Sequence, residues 1–296
     1  MIITKKFITP IFANTINYKD RFGSSNRFWE MNPSFWIDSN GKFKILLRTV
    51  NYLKYENKTF QIYGDSSRSE YYLIKGEITN NPINLDNCEE LKLNVVYNMP
   101  TGYSLWYGVE DIRFIDSTIV LACIPECNNS SPCLVKCNLK DNILSTNHEK
   151  CLPDKDEKNW MPFIDNEKQK VIYKVSPFII KDIEKNNIEV IEIEKKALQD
   201  LDGWHGSSNG IDIGENKKLF LIHKYLDKSF HKWMIYDTKN KTISYSKNFK
   251  FFNKTYIEFV CSLCIYQDRI FVSLGVNDNK AFIVELELDE IFKIFI

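Results

Sequence analysis

Residues 108–126 read GVEDIRFIDSTIVLACIPE. The segment opens with two carboxylates and a guanidinium, Glu110, Asp111 and Arg113, and runs directly into an alternating apolar strand. Charges at the start of a buried strand are costly unless they are paired or face a ligand. Their meaning depends on whether the stretch is unique, and it is one of five. The others are NPSFWIDSNGKFKILLRTVNY (32–52), NWMPFIDNEKQKVIYKVSPF (159–178), SSNGIDIGENKKLFLIHKY (207–225) and VCSLCIYQDRIFVSLGVND (260–278). Each places a small or polar cluster before a short apolar strand, then a polar turn, then a longer apolar strand. The turns, such as DSNGK and GENKK, carry hairpin chemistry.

From the second copy on, the starts recur roughly every 50 residues, a spacing that suits four-stranded propeller blades. The first interval is nearer 80, which leaves room for an elaborated blade around TFQIYGDSSRSEYYLIKGEI (59–78). Segments such as NIEVIEIEKK and KWMIYDTKNKTISYS supply outer strands. The expectation is an all-β chain: one five-bladed β-propeller over residues 1–296. Helix is expected only at the end, in VELELDEIFKIFI, and in EIEKKALQDL.

Composition agrees with a globular β protein. Aromatic residues make up 14% of the chain and mostly sit in short alternating runs. Lys+Arg and Asp+Glu both number 39, so no basic footprint for nucleic acid is present. No apolar stretch reaches membrane-spanning length and the first residues lack a signal-peptide core, so a cytoplasmic chain is expected. Of the eight cysteines, Cys123, Cys127, Cys133 and Cys137 fall in one short stretch. Their spacing fits two hairpin strands better than zinc knuckles, so buried thiols and no metal are expected. No cofactor is called for, and oligomeric state is not legible.

In a propeller the first strand of every blade lines the central channel, so the five clusters converge on one mouth. There the charges of GVEDIRF face a polar ligand. The five clusters differ chemically, which suits an asymmetric small ligand better than a repeated structural role. No Gly-His/Trp-Asp signature of a protein-binding propeller is present.

NPS at Asn32, EDIR at Glu110–Arg113, KNWMPF at Lys158, GSSNGI at Gly206 with IHKY at Ile222–Tyr225, and EF at Glu258 with SLGVND resemble, in order, the five-bladed propellers of glycoside hydrolase family 130. That family holds inverting mannoside phosphorylases and some hydrolases, and related propellers act as mannosyltransferases. The resemblance implies a glycan-active enzyme in which Asp111 is the general acid. The family's Glu-Asp-Pro-Arg has Ile112 in place of proline here, and several motifs look closer to the transferase-like branch.

Making or breaking a glycosidic bond needs an acid at the bridging oxygen and a nucleophile on the opposite face of the sugar. Asp111 is the expected acid. Its neighbour Glu110 points to the other face of a regular strand and is expected to orient sugar hydroxyls or to pair with Arg113. For the opposite face, a phosphorolytic site needs a cationic clamp, which Arg48, Arg113, Lys158, Lys174 and His223 could supply. A hydrolase needs a second carboxylate, for which Glu258 is the candidate. A sugar-nucleotide transferase would use the same cations for a diphosphate. Cations outnumber spare acids, so a phosphate-bearing donor or acceptor is expected. Asn32, Asn51, Asn159, Trp160, Ser208, Asn209 and Asp278 complete the expected sugar site, with Trp160 and Trp204 as the leading aromatic platforms. His205 is a further hydroxyl or phosphate contact, and His148 and His231 read as surface residues. The competing class is a non-catalytic glycan- or protein-binding propeller. An Asp111 that faces the channel among two or more cations would mark an enzyme, and one tied into an inter-blade ion pair a scaffold.

Overall fold

The computed structural model describes residues 7–12, 28–55, 59–79, 82–150, 157–185 and 187–295, with backbone alone at 148–150. Five sheets form a five-bladed propeller, antiparallel except where the short strands Asn94–Val96 and Trp106–Tyr107 pair in parallel. Blade 1 is built on Trp29–Ile37, Lys42–Val50, Ser67–Glu77 and Glu89–Lys92, and blade 2 on Glu110–Phe114, Ile119–Cys123, Leu134–Lys140 and Ile143–Lys150. Blade 3 uses Met161–Asp165, Lys168–Lys174, Ile179–Asp182 and Ile188–Val190. Blade 4 uses Lys217–Tyr225, Ser229–Asp237 and Thr242–Tyr245, with an inner strand split into His205–Gly206 and Ile211–Asp212. Blade 5 uses Glu258–Tyr266, Arg269–Val276 and Lys280–Glu287.

All five repeated segments therefore form the inner hairpin of a blade. Several of these hairpins turn on an aspartate that accepts backbone N–H groups. Asp38 Oδ1 takes those of Asn40 and Lys42, and Asp116 Oδ1 those of Thr118 and Ile119. Such side-chain turns fix where the strands reverse. The fourth strand of blade 5 comes from the N-terminal end of the chain. Phe7–Ile11 pairs antiparallel with Lys280–Glu287, in register from Phe7 opposite Glu285 to Ile11 opposite Ala281, and so joins the two ends of the ring.

Most of the core, among the described residues, lies in five seams, one between each pair of neighbouring blades. Leu46, Leu73, Val109 and Phe114 fill the seam between blades 1 and 2, and Leu121, Trp160 and Val171 that between 2 and 3. Phe163, Phe220 and Tyr236 join blades 3 and 4, and Trp233, Val260 and Leu274 join 4 and 5. Ile11, Phe35, Phe43 and Phe271 close the last seam, from blade 5 to blade 1. Truncating a fully buried ring such as Phe35 costs about 3–5 kcal/mol.

The elaboration of blade 1 is a small hairpin, Tyr52–Lys54 with Phe60–Ile62, whose Tyr52 packs against Met31 and Val50. The expected helix in EIEKKALQDL is present as Lys195–Asp200. In VELELDEIFKIFI only Leu288–Phe292 is helical. The preceding residues belong to strand Lys280–Glu287, whose alternating side chains pack into the seams on either side. Among the described residues no helix is long and apolar enough to cross a membrane.

Candidate active site

The inner strands do not run straight to the channel mouth. Strand pairing slips in blade 1 between Met31 and Ser34, in blade 2 between Glu110 and Arg113, and in blade 5 between Val260 and Ser262. Blade 4 is interrupted at the same level, between Gly206 and Ile211. Within the first two slips, Asn32 and Asp111 adopt left-handed backbone, at φ +41° and +44°, and Asn159 does so at +63° just before the blade 3 strand. Asn and Asp tolerate this region best among residues with a Cβ, and bulges of this kind re-aim side chains beside active sites. Gly275 leaves room for the turn at Asn32, since a Cβ there would stand 2.0 Å from Asn32 Oδ1.

The bulge changes the expected geometry of the acid pair. A regular strand would send Glu110 and Asp111 to opposite faces, but here both reach one guanidinium. Arg48 Nη2 lies 2.6 Å from Glu110 Oε1, and Arg48 Nη1 lies 3.2 Å from Asp111 Oδ1. Asn32 Nδ2 donates a second hydrogen bond to Asp111 Oδ1, at 2.9 Å. Among the described residues no donor reaches Asp111 Oδ2. Both carboxylate side chains keep about a quarter of their surface exposed, whereas Arg48 is buried beneath them. Burial pushes the Glu110 carboxyl up from its ordinary value, against the pull of Arg48. Two acids share one cation, so taking up a proton relieves the excess negative charge.

Glu110 and Asp111 face a cavity of about 780 Å³, whose wall includes Arg113, Lys158, Asn159 and His223. Arg113 is held from below. Its Nε donates to the Ser207 carbonyl, its Nη1 donates to the Asp111 carbonyl at 3.2 Å, and its guanidinium lies over the Phe259 ring. The His223 imidazole packs edge-on against the same ring, at 5.2 Å between centroids. Burial, reinforced by His231, His205 and Arg113, lowers its pKa to about 3, so it is neutral in ordinary buffers.

The other expected site residues divide. Glu258 lies on the cavity wall, but its side chain is fully buried and its carboxylate is occupied. It accepts the backbone N–H groups of Phe251 at 2.8 Å and Phe252 at 3.0 Å and the Thr255 hydroxyl, and it faces His231. Asn51 clips a loop through the Tyr63 and Ser66 carbonyls and the Arg68 N–H. Ser208 accepts the Leu221 N–H, and Asn209 exchanges hydrogen bonds with Leu263 across blades 4 and 5. Asp278 lies 3.7 Å from Lys54 beside the mouth.

Trp160 and Trp204 are not channel platforms. Trp160 is fully buried under Lys181, and Trp204 is buried with Lys232 over its ring, because both side chains fill seams between blades. Lys174 is exposed over the Tyr173 ring, away from the cavity. Arg48 supports the cavity floor without lining it. His231 is fully buried beside Glu258 and is not a surface residue. The His148 side chain and Cys151 lie outside the described residues. Cys123, Cys127, Cys133 and Cys137 are buried thiols in blade 2.

Sequence reasoning missed Phe259, Tyr55, Tyr225 and Tyr256, all on the cavity wall. A signal was available for one of them, since Tyr225 follows His223 at the two-residue spacing that keeps side chains on one face of a strand.

At the level of sequence, no family profile and no curated protein matches the chain. Solved structures do. A β-1,2-mannobiose phosphorylase from Listeria innocua, solved with β-1,2-mannobiose, superposes over 97% of this chain and 98% of its own, with TM-score 0.62 and 14% identity. A GDP-Man-dependent mannosyltransferase from Leishmania mexicana covers 88% and 85%, with TM-score 0.56 and 15% identity. A glycosyl hydrolase from Bacteroides ovatus covers 89% and 85%, with TM-score 0.56 and 10% identity. The chain is a five-bladed propeller of the architecture these proteins share. The resemblance of its motifs to mannoside phosphorylases and propeller mannosyltransferases thus has a counterpart in the fold.

Proposed function

We propose that the protein is a glycan-active enzyme that transfers a mannoside-type glycosyl group with inversion, using a phosphate-bearing donor or acceptor. One observation carries the reading. The Asp111 carboxylate is fixed through Oδ1 by Arg48 and Asn32, and it opens onto a cavity that also holds Arg113, Lys158 and His223.

In the degradative direction the glycosidic C1–O bond breaks. A proton passes from Asp111 to the departing oxygen, while a phosphate oxygen forms the new bond to C1 from the opposite face. Synthesis is the reverse. Arg113 and Lys158 offset the phosphate charge, and neutral His223 offers a hydrogen-bonding edge. Inverting hydrolysis would need a second free carboxylate to activate water. Glu258, the residue expected for that role, spends its oxygens on the Phe251–Phe252 backbone, which favours phosphate over water. A sugar-nucleotide donor fits the same cations and is the runner-up.

One contact favours a second reading. Arg48–Asp111 joins two blades, as a structural ion pair would, and a non-catalytic glycan-binding propeller would keep it for that reason. A donor screen separates these readings. Mannose 1-phosphate and nucleotide sugars are offered with mannoside acceptors, and products are read by mass. A product one hexose heavier from mannose 1-phosphate, with Lys158→Ala weakening use of that donor, is expected. Transfer from a nucleotide sugar alone would move the reading to the runner-up, and no product from either donor would favour the binding propeller.

A further inference from the structure

The Glu110–Asp111 pair and Lys158 occupy the part of the cavity wall that blades 2 and 3 supply. The opposite arc, from blade 4 through blade 5 to blade 1, carries Tyr225, Tyr256 and Tyr55, with Asp227 and Lys54 among them. The three tyrosines are 45%, 41% and 47% exposed. Isolated exposed apolar groups are ordinary, but here three tyrosines from three blades gather on the wall of one cavity.

The rim is also built to hold still. The Ser229 N–H donates to the Tyr256 carbonyl at 2.9 Å, which ties the turn after Tyr225 to the strand entry at Tyr256. The Tyr55 hydroxyl donates to Gln61 Oε1 at 2.6 Å within the blade 1 hairpin. Lys54, next in the chain, reaches Asp278 of blade 5. The hairpin and blade 5 are thus fastened to each other beside the mouth.

We propose that Tyr55, Tyr225 and Tyr256 form a carbohydrate-binding rim that holds further sugar units of a chain whose reacting unit sits at Asp111. The inference rests on the glycan-active reading above and adds the length of the substrate. Pyranose rings present apolar C–H faces and a polar edge, which tyrosine matches with an apolar ring and a hydrated hydroxyl. A cavity of about 780 Å³ lies in the upper part of the roughly 300–1,000 Å³ range of small-molecule sites, ample for more than one sugar ring. A nucleotide stacked on the same rings would set its diphosphate on this arc. There Lys54 is engaged by Asp278, and Asp227 adds negative charge to the wall.

The test is calorimetry on the full chain with β-1,2-linked mannobiose, mannotriose and mannotetraose, and with GDP-mannose. In the wild type, affinity should rise about tenfold from the disaccharide to the tetrasaccharide. Tyr225→Ala and Tyr256→Ala should bring that ratio close to one. Tyr103→Ala, a control at an exposed tyrosine away from the cavity wall, should leave it unchanged. A wild-type ratio near one with a disaccharide that binds overturns the rim alone, as does a ratio that survives both rim variants. Rim variants that lose GDP-mannose while keeping the oligosaccharide ratio assign the tyrosines to a nucleotide and overturn the proposal. If no oligosaccharide binds at all, the glycan-active reading falls and takes the rim with it.

Discussion

Asn32 and Asp111 meet across blades 1 and 2, Nδ2 to Oδ1 at 2.9 Å, and each does so from left-handed backbone. The contact exists because two neighbouring strands bulge at the same height. It turns a backbone irregularity into a fixed orientation for the proposed acid. On the proposed mechanism Asn32 acts as a positioning residue. Asn32→Gly keeps the backbone conformation and removes the donor, so kcat should fall about tenfold with little change in KM. Asn32→Ala adds a left-handed penalty of about 1–2 kcal/mol, visible as a lower denaturation midpoint. Unchanged kinetics in Asn32→Gly would remove the positioning role.

Asp111→Asn keeps the shape and leaves an oxygen for Asn32 and Arg48 to bind, but supplies no proton to a departing oxygen. Turnover should drop by about 10²–10⁴-fold while sugar binding survives. Steady-state rates beside calorimetric affinities make the comparison. A variant with wild-type turnover ends the mechanism, and one that cannot fold returns Asp111 to a structural role.

Arg48 behaves differently once its burial is known. It sits beneath Glu110 and Asp111, so Arg48→Ala leaves two acids without their shared cation. The expected result is a stability loss of about 3–5 kcal/mol by chemical denaturation, more than a selective weakening of phosphate binding. Selective weakening belongs to Lys158→Ala. Lys158 is exposed on the cavity wall, and salt should compete with its contribution to anion affinity. Equal stability of Arg48→Ala and wild type would contradict the role of Arg48 as the shared cation.

The ring was legible because its grammar is local. A polar cluster, an alternating strand and a polar turn recur five times, and each copy became an inner hairpin. Ring closure was not, because Phe7–Ile11 finds its partner in Ala281–Glu285, at the far end of the chain, through register, which leaves no mark in either segment. The acid pair was placed correctly at the mouth but with the wrong facing. Strand alternation assumes regular backbone, and the left-handed Asp111 breaks it. The tryptophans misled for a related reason. Trp160 and Trp204 abut polar clusters in sequence, yet inner-strand geometry sends such rings sideways into the seams between blades. Glu258 could not be read as a loop anchor because its partners are backbone N–H groups of Phe251 and Phe252, which side-chain chemistry does not reveal.

Glu258 supplies the last prediction. Its hydrogen bonds and the facing His231 outweigh burial and hold its carboxyl below the ordinary value of 4.5. A lowered folded-state pKa means that the unfolded chain binds more protons between the two values. Stability from this group is therefore present above about pH 4.5 and is lost as pH falls through the folded pKa. Glu258→Gln cannot titrate, and it sets an amide N–H₂ where one backbone N–H had an acceptor. It should cost about 1–3 kcal/mol at pH 7. The gap from wild type should then narrow as pH falls from 5 to 3. Urea midpoints for both proteins at pH 7, 5, 4 and 3 measure it. Other acids shift in both directions, but they are common to the two proteins, so the difference isolates Glu258. A gap that stays constant down to pH 3 would show that the carboxylate charge is not what fastens the Phe251–Phe252 loop to blade 5.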